Sequence, residues 1–301
     1  MNLRRKLNEY GGDLMNTLGI YEKALPKNIS WEERLQLAKS LGFDFVEMSI
    51  DETDERLARL DWSENSRNEV SQAIVKTGVT IQSLCLSGHR RYPLGSVDPV
   101  IRGKGLEIMA KAIDLASDLG IRVIQLAGYD VYYEKKSVAT RSFFIENLEK
   151  SVALAARKQI TLAIEIMDDS FMSSITKYKR IKKQIPSPWL QVYPDLGNLS
   201  AWPENDPGYE LELGKGSIVA THLKDTLAVT DNFSGKFKGV PFGEGCVDFL
   251  GCLKTMKSFS YNGPFLIEMW SEESPDFKEE IKAAKAFLLP ILKEAGFNYE
   301  Y

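Results

Sequence analysis

Four side chains of the kinds that bind metal ions follow one another at the ends of apolar, strand-like runs: Glu165, Asp195, His222 and Glu268. Short apolar runs bounded by polar residues are typical of strands buried on both faces of a parallel sheet. An ionised carboxylate at such a place needs a cation or several hydrogen-bond donors, because an unpaired buried charge would take up a proton instead. Oxygen and imidazole ligands together suit Mn, Zn, Mg or Co, so the sequence predicts a site for one divalent cation.

The two glutamates of this set, Glu165 and Glu268, indicate what such a site would catalyse. A divalent cation that polarises a ketone lowers the cost of removing a proton from the neighbouring carbon. One carboxylate can take that proton and the other can return one from the opposite side, which inverts the stereocentre. The alternative is that each glutamate forms a buried salt bridge with Lys or Arg, but four ligand types on four consecutive strand ends favour the metal.

The elements that must position these residues alternate between strand and helix. Strands are predicted at 17–22, 44–50, 79–86, 121–127, 161–166, 189–194, 217–222 and 264–269. Helices are predicted after Ser30 and at 64–77, 102–119, 139–158, 171–184, 206–213, 247–258 and 276–294. A glycine that ends a helix is expected before several strands, at Gly42, Gly78, Gly120 and Gly263.

Eight such units predict a single-domain α/β fold, a (β/α)8 TIM barrel over residues 17–301, with an open doubly wound sheet as the alternative. In a barrel the strand ends share one rim, which would bring the four ligand residues together. Residues 1–16 are polar and are interpreted as an extension outside the barrel. The longest irregular part, Asp225–Glu244, is a candidate lid.

Loops on the same predicted rim carry cations and hydroxyl groups. Ser87, His89 and Arg90 follow the third strand, and Lys23 follows the first. Such residues suit a phosphate or another anionic end of a substrate, with a solvated basic loop as the alternative. Tyr132 and Tyr133 follow the fourth strand and are weaker candidates for the same contact, since Tyr is also common as rim packing.

Composition limits the classes of function. The 301 residues are 44% hydrophobic and 27% charged, with a formal net charge of -4, which leaves no basic excess for nucleic acid or a membrane surface. Three cysteines without paired spacing, Cys85, Cys246 and Cys252, indicate a reducing cytoplasm. No run approaches the ~20 apolar residues of a membrane span, and no signal-peptide core follows Met1. We therefore expect a cytoplasmic protein with a small-molecule partner.

Longer motifs run from Leu18 to the C-terminal helix: Leu18-Gly-Ile-Tyr-Glu-Lys-Ala-Leu-Pro26, Gly42-Phe-Asp-Phe-Val-Glu-Met-Ser49, His89-Arg-Arg-Tyr-Pro-Leu-Gly-Ser96, Ile124-Gln-Leu-Ala-Gly-Tyr-Asp-Val-Tyr-Tyr133, Tyr193-Pro-Asp-Leu-Gly-Asn-Leu-Ser-Ala-Trp202, Val240-Pro-Phe-Gly-Glu-Gly245 and Leu266-Ile-Glu-Met-Trp-Ser271. Together they resemble the L-ribulose-5-phosphate 3-epimerase family, also called L-xylulose-5-phosphate 3-epimerase. The resemblance implies a xylose-isomerase-like barrel, a divalent cation such as Zn or Mn, and interconversion of L-ribulose 5-phosphate and L-xylulose 5-phosphate at C3 in L-ascorbate breakdown.

Carried over motif by motif, the resemblance implies the same four metal ligands, with Glu165 and Glu268 as the acid/base pair. It also implies a pentulose 5-phosphate held by Lys23, Ser87, His89 and Arg90 before Tyr132 and Tyr133. One departure is Asp168-Asp169-Ser170, which lacks a proline of the family and leaves the shape of that loop open. By analogy with other barrels that have a crowded rim, a homodimer is also considered.

Three other functions are weighed against this one. An aldose–ketose isomerase or a 3-epimerase of unphosphorylated ketoses would use the same barrel without a phosphate site. A DNA-repair endonuclease would need more histidines and a basic face, whereas this chain has two His and an acidic balance. A sugar-binding protein without catalysis would keep the rim but would not depend on both glutamates.

Overall fold

The structure is a computed structural model that describes residues 16–298. Its eight parallel strands are β1 (Leu18–Tyr21), β2 (Phe45–Ile50), β3 (Thr80–Leu86), β4 (Val123–Leu126), β5 (Thr161–Glu165), β6 (Leu190–Tyr193), β7 (Thr221–Leu223) and β10 (Phe265–Ile267). They are hydrogen-bonded in the order β6-β5-β4-β3-β2-β1-β10-β7. Parallel bridges from Val192 to Ile218 and from Asp195 to His222 connect β6 with β7 and complete the ring. The predicted single-domain (β/α)8 barrel is thus confirmed, and the open sheet is excluded.

Helices surround the ring: α1 (Trp31–Ser40), α2 (Asp54–Leu57), α3 (Glu64–Thr77), α4 (Pro99–Asp118), α5 (Val138–Arg157), α6 (Ile175–Gln184), α7 (Leu196–Ser200), α8 (Pro207–Leu213), α9 (Phe249–Ser258) and α10 (Phe277–Glu294). Ser30 caps α1 in a capping box with Glu33, as the sequence predicted. None of the helices among residues 16–298 is long and apolar enough to cross a membrane.

The apolar core lies mainly between the strands and the helices. Strands β2 and β5 are buried along almost their whole length, so their apolar side chains pack outward against the helices. A continuous cluster of buried aliphatic and aromatic residues joins all parts of the ring. The polar residues of the same strands, including Glu47, Ser83 and Gln125, are also buried. The barrel interior is therefore the place where the chain concentrates buried charge.

The structure differs from the sequence-based prediction at several places, of which three concern the strands, the lid segment and the helix-ending glycines. Residues 225–240, predicted as irregular, form an antiparallel hairpin of β8 (Asp225–Leu227) and β9 (Lys236–Val240). The seventh strand begins only at Thr221, because Ile218 makes an isolated bridge instead of a continuous ladder. Gly42, Gly78 and Gly120 have the left-handed conformation that ends a helix, but Gly263 does not have a positive φ. The predicted extension at 1–16 lies, apart from Asn16, outside the described residues.

Candidate active site

The four predicted ligand residues meet at one end of the barrel. One ligand atom from each lies within 4.8 Å of the others, and all four side chains are buried. His222 Nδ1 is the centre of the group, since it lies 3.1 Å from Glu165 Oε1, 3.8 Å from Asp195 Oδ2 and 3.7 Å from Glu268 Oε2. The structure therefore brings together the residues that the sequence analysis grouped.

Strand register explains why these residues meet. His222 pairs with Leu266 of β10 and bridges to Asp195, while Glu165 pairs with Tyr193 of β6. These pairings place the side chains at nearly the same level of the ring. Asp195 also caps helix α7, because its Oδ1 accepts a hydrogen bond from Asn198 N at 2.7 Å. That cap occupies one carboxylate oxygen and leaves Oδ2 facing the group.

The donor set fits a divalent cation. Among the described residues, neither Asp195 Oδ2 nor Glu268 Oε2 has a hydrogen-bond partner, although both are buried. Lys224 Nζ lies 2.9 Å from each of these oxygens, at ion-pair distance but without hydrogen-bond geometry. One lysine and one histidine cannot neutralise the four carboxylates that meet here, which include Glu47. Carboxylate oxygens and an imidazole nitrogen at this spacing can bind Zn or Mn.

Electrostatics in this group is dominated by burial and by Lys224. Burial raises the pKa of Glu165 more than its hydrogen bond with His222 lowers it. Burial likewise raises the pKa of Asp195, to about 8, against the pull of Lys224. For Glu268 burial acts in the same direction, but Lys224 and His222 outweigh it and hold the pKa at about 2. In the metal-free site the pKa values of the two glutamates are thus shifted in opposite directions.

Three buried residues of the site were not predicted as site residues. Lys224 follows β7 and bridges two of the ligands, Glu47 of β2 contacts His222, and the Gln125 amide of β4 donates a hydrogen bond to Glu165. The signal for Glu47 was available, since it is a carboxylate inside an apolar strand like Glu165. It was missed because β2 is distant in sequence from the four strands that carry the ligands.

The mouth of the site is lined by cations. A cavity of about 40 Å³ is bounded by both glutamates and by four basic side chains: Lys23, Arg90, Lys224 and Lys238. Ser87 also lines it, as does Phe237 of β9. Lys238 lies 4.5 Å from the Trp270 ring, and Phe237 packs against Trp202. Strand β9 therefore forms a roof over the site and contributes a cation that the sequence analysis did not select.

His89 is not brought to the cavity. Residues Ser87–Arg90 form one turn of 3-10 helix, in which positions three apart share a face. Ser87 and Arg90 consequently line the cavity, while His89 turns away and its Nε2 donates to the Gly105 carbonyl at 3.1 Å. Burial lowers the pKa of His89 to about 4, so its imidazole is neutral at pH 7.

The two tyrosines after β4 also lie outside the cavity lining. Tyr132 packs edge-on against Tyr129, with the Arg90 guanidinium 5.3 Å from its ring. Tyr133 is exposed, and its hydroxyl donates to Glu52 at 2.9 Å. Tyr132 therefore contacts the site indirectly, through Arg90 and Tyr129, and Tyr133 serves as a contact between two surface loops.

Lys23 is held at the mouth by two buried networks. Its ammonium pairs with Asp51, which also accepts hydrogen bonds from Thr53 N at 2.9 Å and Thr53 Oγ1 at 2.6 Å. The preceding residue, Glu22, is fully buried, and its carboxylate accepts a bidentate pair of hydrogen bonds from Arg59 at 2.7 and 2.8 Å. The salt-bridge alternative weighed for Glu165 and Glu268 holds in part for Glu268, whose Oε2 lies 2.9 Å from Lys224 Nζ, and Glu22 is a further glutamate paired in this way.

The loop whose shape the sequence left open, residues 168–170, folds back on itself. Met167 N donates to Met172 O at 2.9 Å, and Met172 N donates to Asp169 O at 3.0 Å. Within it Asp168 accepts a hydrogen bond from the Tyr129 hydroxyl and lines the cavity, while Asp169 pairs with Lys136. The loop therefore closes the mouth on the side of β5 without a proline.

Comparison with known proteins agrees with the fold and the site described above. Residues 35–290 match the family model described as xylose isomerase-like TIM barrel. The L-ribulose-5-phosphate 3-epimerase UlaE of Escherichia coli is 57% identical over 279 residues, which cover 93% of this chain and 96% of that protein. The protein of the same name from Shigella boydii is 56% identical with the same coverage. A solved structure of an L-ribulose 3-epimerase superposes with a TM-score of 0.74 at 19% identity, over 93% of this chain and 96% of that one, which shows a shared fold.

Proposed function

The chain belongs to the L-ribulose-5-phosphate 3-epimerases of the xylose isomerase-like TIM barrel family and is an isomerase-class enzyme, and from this membership we propose that it interconverts L-ribulose 5-phosphate and L-xylulose 5-phosphate. The observation that carries the proposal is the pair Glu165 and Glu268, whose carboxylates lie 3.1 and 3.7 Å from His222 Nδ1 and both line one cationic cavity. Relatives named for this reaction match nearly the whole chain.

The residues that would hold a divalent cation are Glu165, Asp195, His222 and Glu268, and we propose Zn or Mn as the ion. The fit rests on the two buried carboxylate oxygens without hydrogen-bond partners and on the close spacing of the ligand atoms. When bound, the ion would supply polarisation of the substrate ketone, which makes the neighbouring C–H more acidic.

Proton transfer at C3 is assigned to the two glutamates. One carboxylate removes the C3 proton, and the carboxylic acid of the other delivers a proton to the opposite face of the carbon, which inverts it. Both side chains are buried, so water does not compete with them for the substrate proton. Gln125 donates to one oxygen of Glu165 and thereby fixes the orientation of that carboxylate.

The substrate phosphate is assigned to the cations at the mouth. Lys23, Arg90 and Lys238 line the cavity beside both glutamates, and Ser87 adds a hydroxyl group. Basic side chains that converge on one cavity suit a phosphate monoester, because charge-assisted hydrogen bonds to phosphate are stronger than bonds between neutral groups. Lys23 is already paired with Asp51, but Arg90 and Lys238 form no ion pair among the described residues. A free ketose would leave these two cations without an anionic partner, so the phosphorylated sugar is the better substrate.

The site must open to admit this substrate. The cavity of about 40 Å³ has room for only a few waters, whereas pockets for small ligands usually hold roughly 300 Å³ or more. Hairpin β8–β9 carries the roof residues Phe237 and Lys238, and its two strands form a separate antiparallel sheet outside the barrel ring. We propose that this hairpin is the lid.

The proposal is tested by exchange at C3. The protein, loaded with Zn or Mn, is incubated with L-ribulose 5-phosphate in D2O and the sugar is examined by proton NMR. We expect loss of the C3 proton signal together with formation of L-xylulose 5-phosphate, and E165Q and E268Q each to slow the exchange by about 10²–10⁴-fold. Absence of exchange with metal present would reject an epimerase.

The same experiment with other sugars tests the alternative functions. A 3-epimerase of unphosphorylated ketoses would turn over free L-ribulose at least as well as its 5-phosphate, and an aldose–ketose isomerase would exchange a proton at C1. The cationic mouth favours neither of these. Preference for the phosphorylated sugar by its kcat/KM is therefore the result that separates the proposed function from both.

Family membership and the sequence carry three further parts of the proposal. We extend it to one catalytic domain at residues 17–301, to the cytoplasm, and to a step in L-ascorbate breakdown. The homodimer also stays a prediction. Gel filtration with light scattering checks the oligomeric state directly.

A further inference from the structure

Glu47 contacts the His222 imidazole at Nε2, the nitrogen that faces away from the other ligand residues. Its side chain is fully buried, and its Oε1 lies 2.9 Å from His222 Nε2. The other oxygen accepts a hydrogen bond from Ser83 Oγ at 2.6 Å. Both oxygens of Glu47 are thus occupied inside the barrel, and the residue does not line the cavity described above.

The fold places Glu47 there by two features. Strands β2 and β7 are separated in the ring by β1 and β10, so Glu47 reaches His222 across the barrel interior. On β2 the pairing with β3 shifts between Val46 and Glu47, which puts Glu47 directly opposite Ser83. Such irregularities re-aim a side chain and are frequent next to active sites.

Both imidazole nitrogens of His222 face a carboxylate, Nδ1 towards Glu165 at 3.1 Å and Nε2 towards Glu47 at 2.9 Å. Once a cation occupies Nδ1, only the contact with Glu47 can hold the imidazole proton. A neutral histidine has one N–H and one lone pair, and the partner of one nitrogen fixes the role of the other. His222 Nδ1 is the nitrogen near Glu165, Asp195 and Glu268, so its lone pair must be free for a cation. The proton then belongs on Nε2, where the Glu47 carboxylate accepts it.

We propose that Glu47 is a positioning residue that keeps the His222 proton on Nε2 and thereby presents Nδ1 to the divalent cation. This inference rests on the metal site of the proposed function and adds a residue outside the four ligands. Ser83 holds the Glu47 carboxylate in turn, and the edge-on contact of His222 with Tyr193, at 4.6 Å between ring centres, limits rotation of the imidazole. Outer partners of this kind typically change metal affinity by about 10–100-fold.

The experiment measures Zn²⁺ affinity, in the absence of any sugar, by competition with a chromophoric chelator. E47Q keeps an acceptor oxygen but loses the charge that strengthens the bond, and we expect its affinity to fall about 10-fold. E47L removes the acceptor and is expected to lose up to about 100-fold. E210Q is the matched control, because Glu210 on α8 is also buried and accepts two hydrogen bonds from Thr176 at 2.6 and 2.7 Å. It should bind Zn²⁺ like the unaltered protein.

A second readout tests the proton itself. The chain has two histidines, so long-range nitrogen NMR of the Zn²⁺-loaded protein gives two sets of ring signals, and H89Q assigns them. We expect the His222 ring to be protonated at Nε2. A proton on Nδ1 would overturn the proposal, as would affinities of E47Q and E47L within about threefold of the unaltered protein, or an equal loss in E210Q.

The outcomes separate this inference from the proposed function. If the unaltered protein binds no Zn²⁺ or Mn²⁺, the proposed metal site fails and the role of Glu47 fails with it. If the unaltered protein binds the ion and catalyses exchange while both Glu47 variants bind it equally well, only the present inference is wrong. If E47L does not fold, E47Q alone decides, because it preserves the volume of the side chain.

Discussion

Lys224 Nζ lies 2.9 Å from Glu268 Oε2, and the same nitrogen lies 2.9 Å from Asp195 Oδ2. The ammonium group therefore contacts two of the four proposed metal ligands through the oxygens that would bind the ion. Burial opposes the charge of Lys224, but Asp195 and Glu268 outweigh it and raise the pKa of the lysine far above its ordinary value. Lys224 is consequently charged at neutral pH, and its charge partly balances the buried carboxylates of this cluster.

The first prediction concerns the stability of the metal-free protein. K224M removes the charge but keeps a side chain of similar length, which leaves buried carboxylates without their cation and should cost about 3 kcal/mol of unfolding free energy. Urea denaturation after dialysis against a chelator measures it. Excess Zn²⁺ should restore a large part of the loss, because a ligand that binds only the folded state stabilises it.

The matched control is K254M. Lys254 pairs with Glu294 on the surface at 3.2 Å, and exposed pairs contribute at most about 1 kcal/mol. Equal stability of K224M and the unaltered protein without metal would show that the ammonium does not balance the buried carboxylates.

The second prediction concerns the phosphate. K238M removes a cation that lines the mouth and should raise KM for L-ribulose 5-phosphate about 10-fold or more, with little change in KM for the free sugar. K236M is the control, since Lys236 lies two residues away on β9, is exposed and does not line the cavity. Steady-state kinetics on both sugars decides, and an equal rise in KM for both would mean that Lys238 acts through the lid instead of through the phosphate.

The third prediction concerns the base of the lid. Asp225 Oδ2 accepts hydrogen bonds from Gly243 N at 2.9 Å and Gly245 N at 3.0 Å, which ties the end of the lid segment to β8. A Cβ at Gly245 would lie only 2.0 Å from Asp225 Oδ1, so G245A must displace this contact. We expect it to lower the unfolding free energy by about 2 kcal/mol and to raise KM for the phosphorylated sugar.

The control for this substitution is G103A. Among the described residues, no atom outside the neighbouring helix backbone lies within 4 Å of a Cβ at Gly103 on α4. Alanine is also the better helix former by up to about 1 kcal/mol. The midpoint temperature of thermal unfolding should therefore rise slightly for G103A and fall for G245A. A stable and fully active G245A would show that Asp225 does not anchor the lid.

The fourth prediction concerns acid sensitivity. Burial alone would raise the pKa of Asp51, but Lys23 and Thr53 outweigh it and bring the pKa to about 2, below the ordinary value of 3.8. Because the folded value is the lower one, the ionised carboxylate stabilises the fold above about pH 4, and this contribution disappears as the pH falls towards 2. After allowance for solvent screening it is about 1 kcal/mol.

Urea titrations of D51N and the unaltered protein at pH 6, 4 and 3 measure the contribution. The difference in unfolding free energy should be largest at pH 6 and should shrink steadily at the lower values. A difference that stays constant over this range would show that Asp51 is not held ionised by Lys23 and Thr53.

Local signals in the sequence were sufficient for the barrel and for the grouping of the ligand residues. Helix Glu64–Thr77 was predicted with both ends correct because Ser63 caps it and left-handed Gly78 ends it. The ligand residues could be grouped because the carboxyl ends of parallel strands share one rim whatever the details of packing.

Contacts made through tertiary structure could not be predicted in this way. Glu47 is 175 positions from His222 in the chain, and Lys238 reaches the mouth only because residues 225–240 form a hairpin that folds over it. His89 and Arg90 are neighbours in sequence, yet the 3-10 turn directs one towards the helices and the other into the cavity. Composition and spacing contain no information on that rotation.

The central claim is that a single divalent ion is bound jointly by Glu165, Asp195, His222 and Glu268. Anomalous diffraction from a crystal grown with Zn²⁺ or Mn²⁺ and recorded on both sides of the absorption edge tests it most directly. We expect one strong peak at the barrel mouth, with His222 Nδ1 and an oxygen from each of the three carboxylates as its protein neighbours. No peak there, or an ion bound elsewhere while Lys224 keeps its contacts with Asp195 and Glu268, would contradict it.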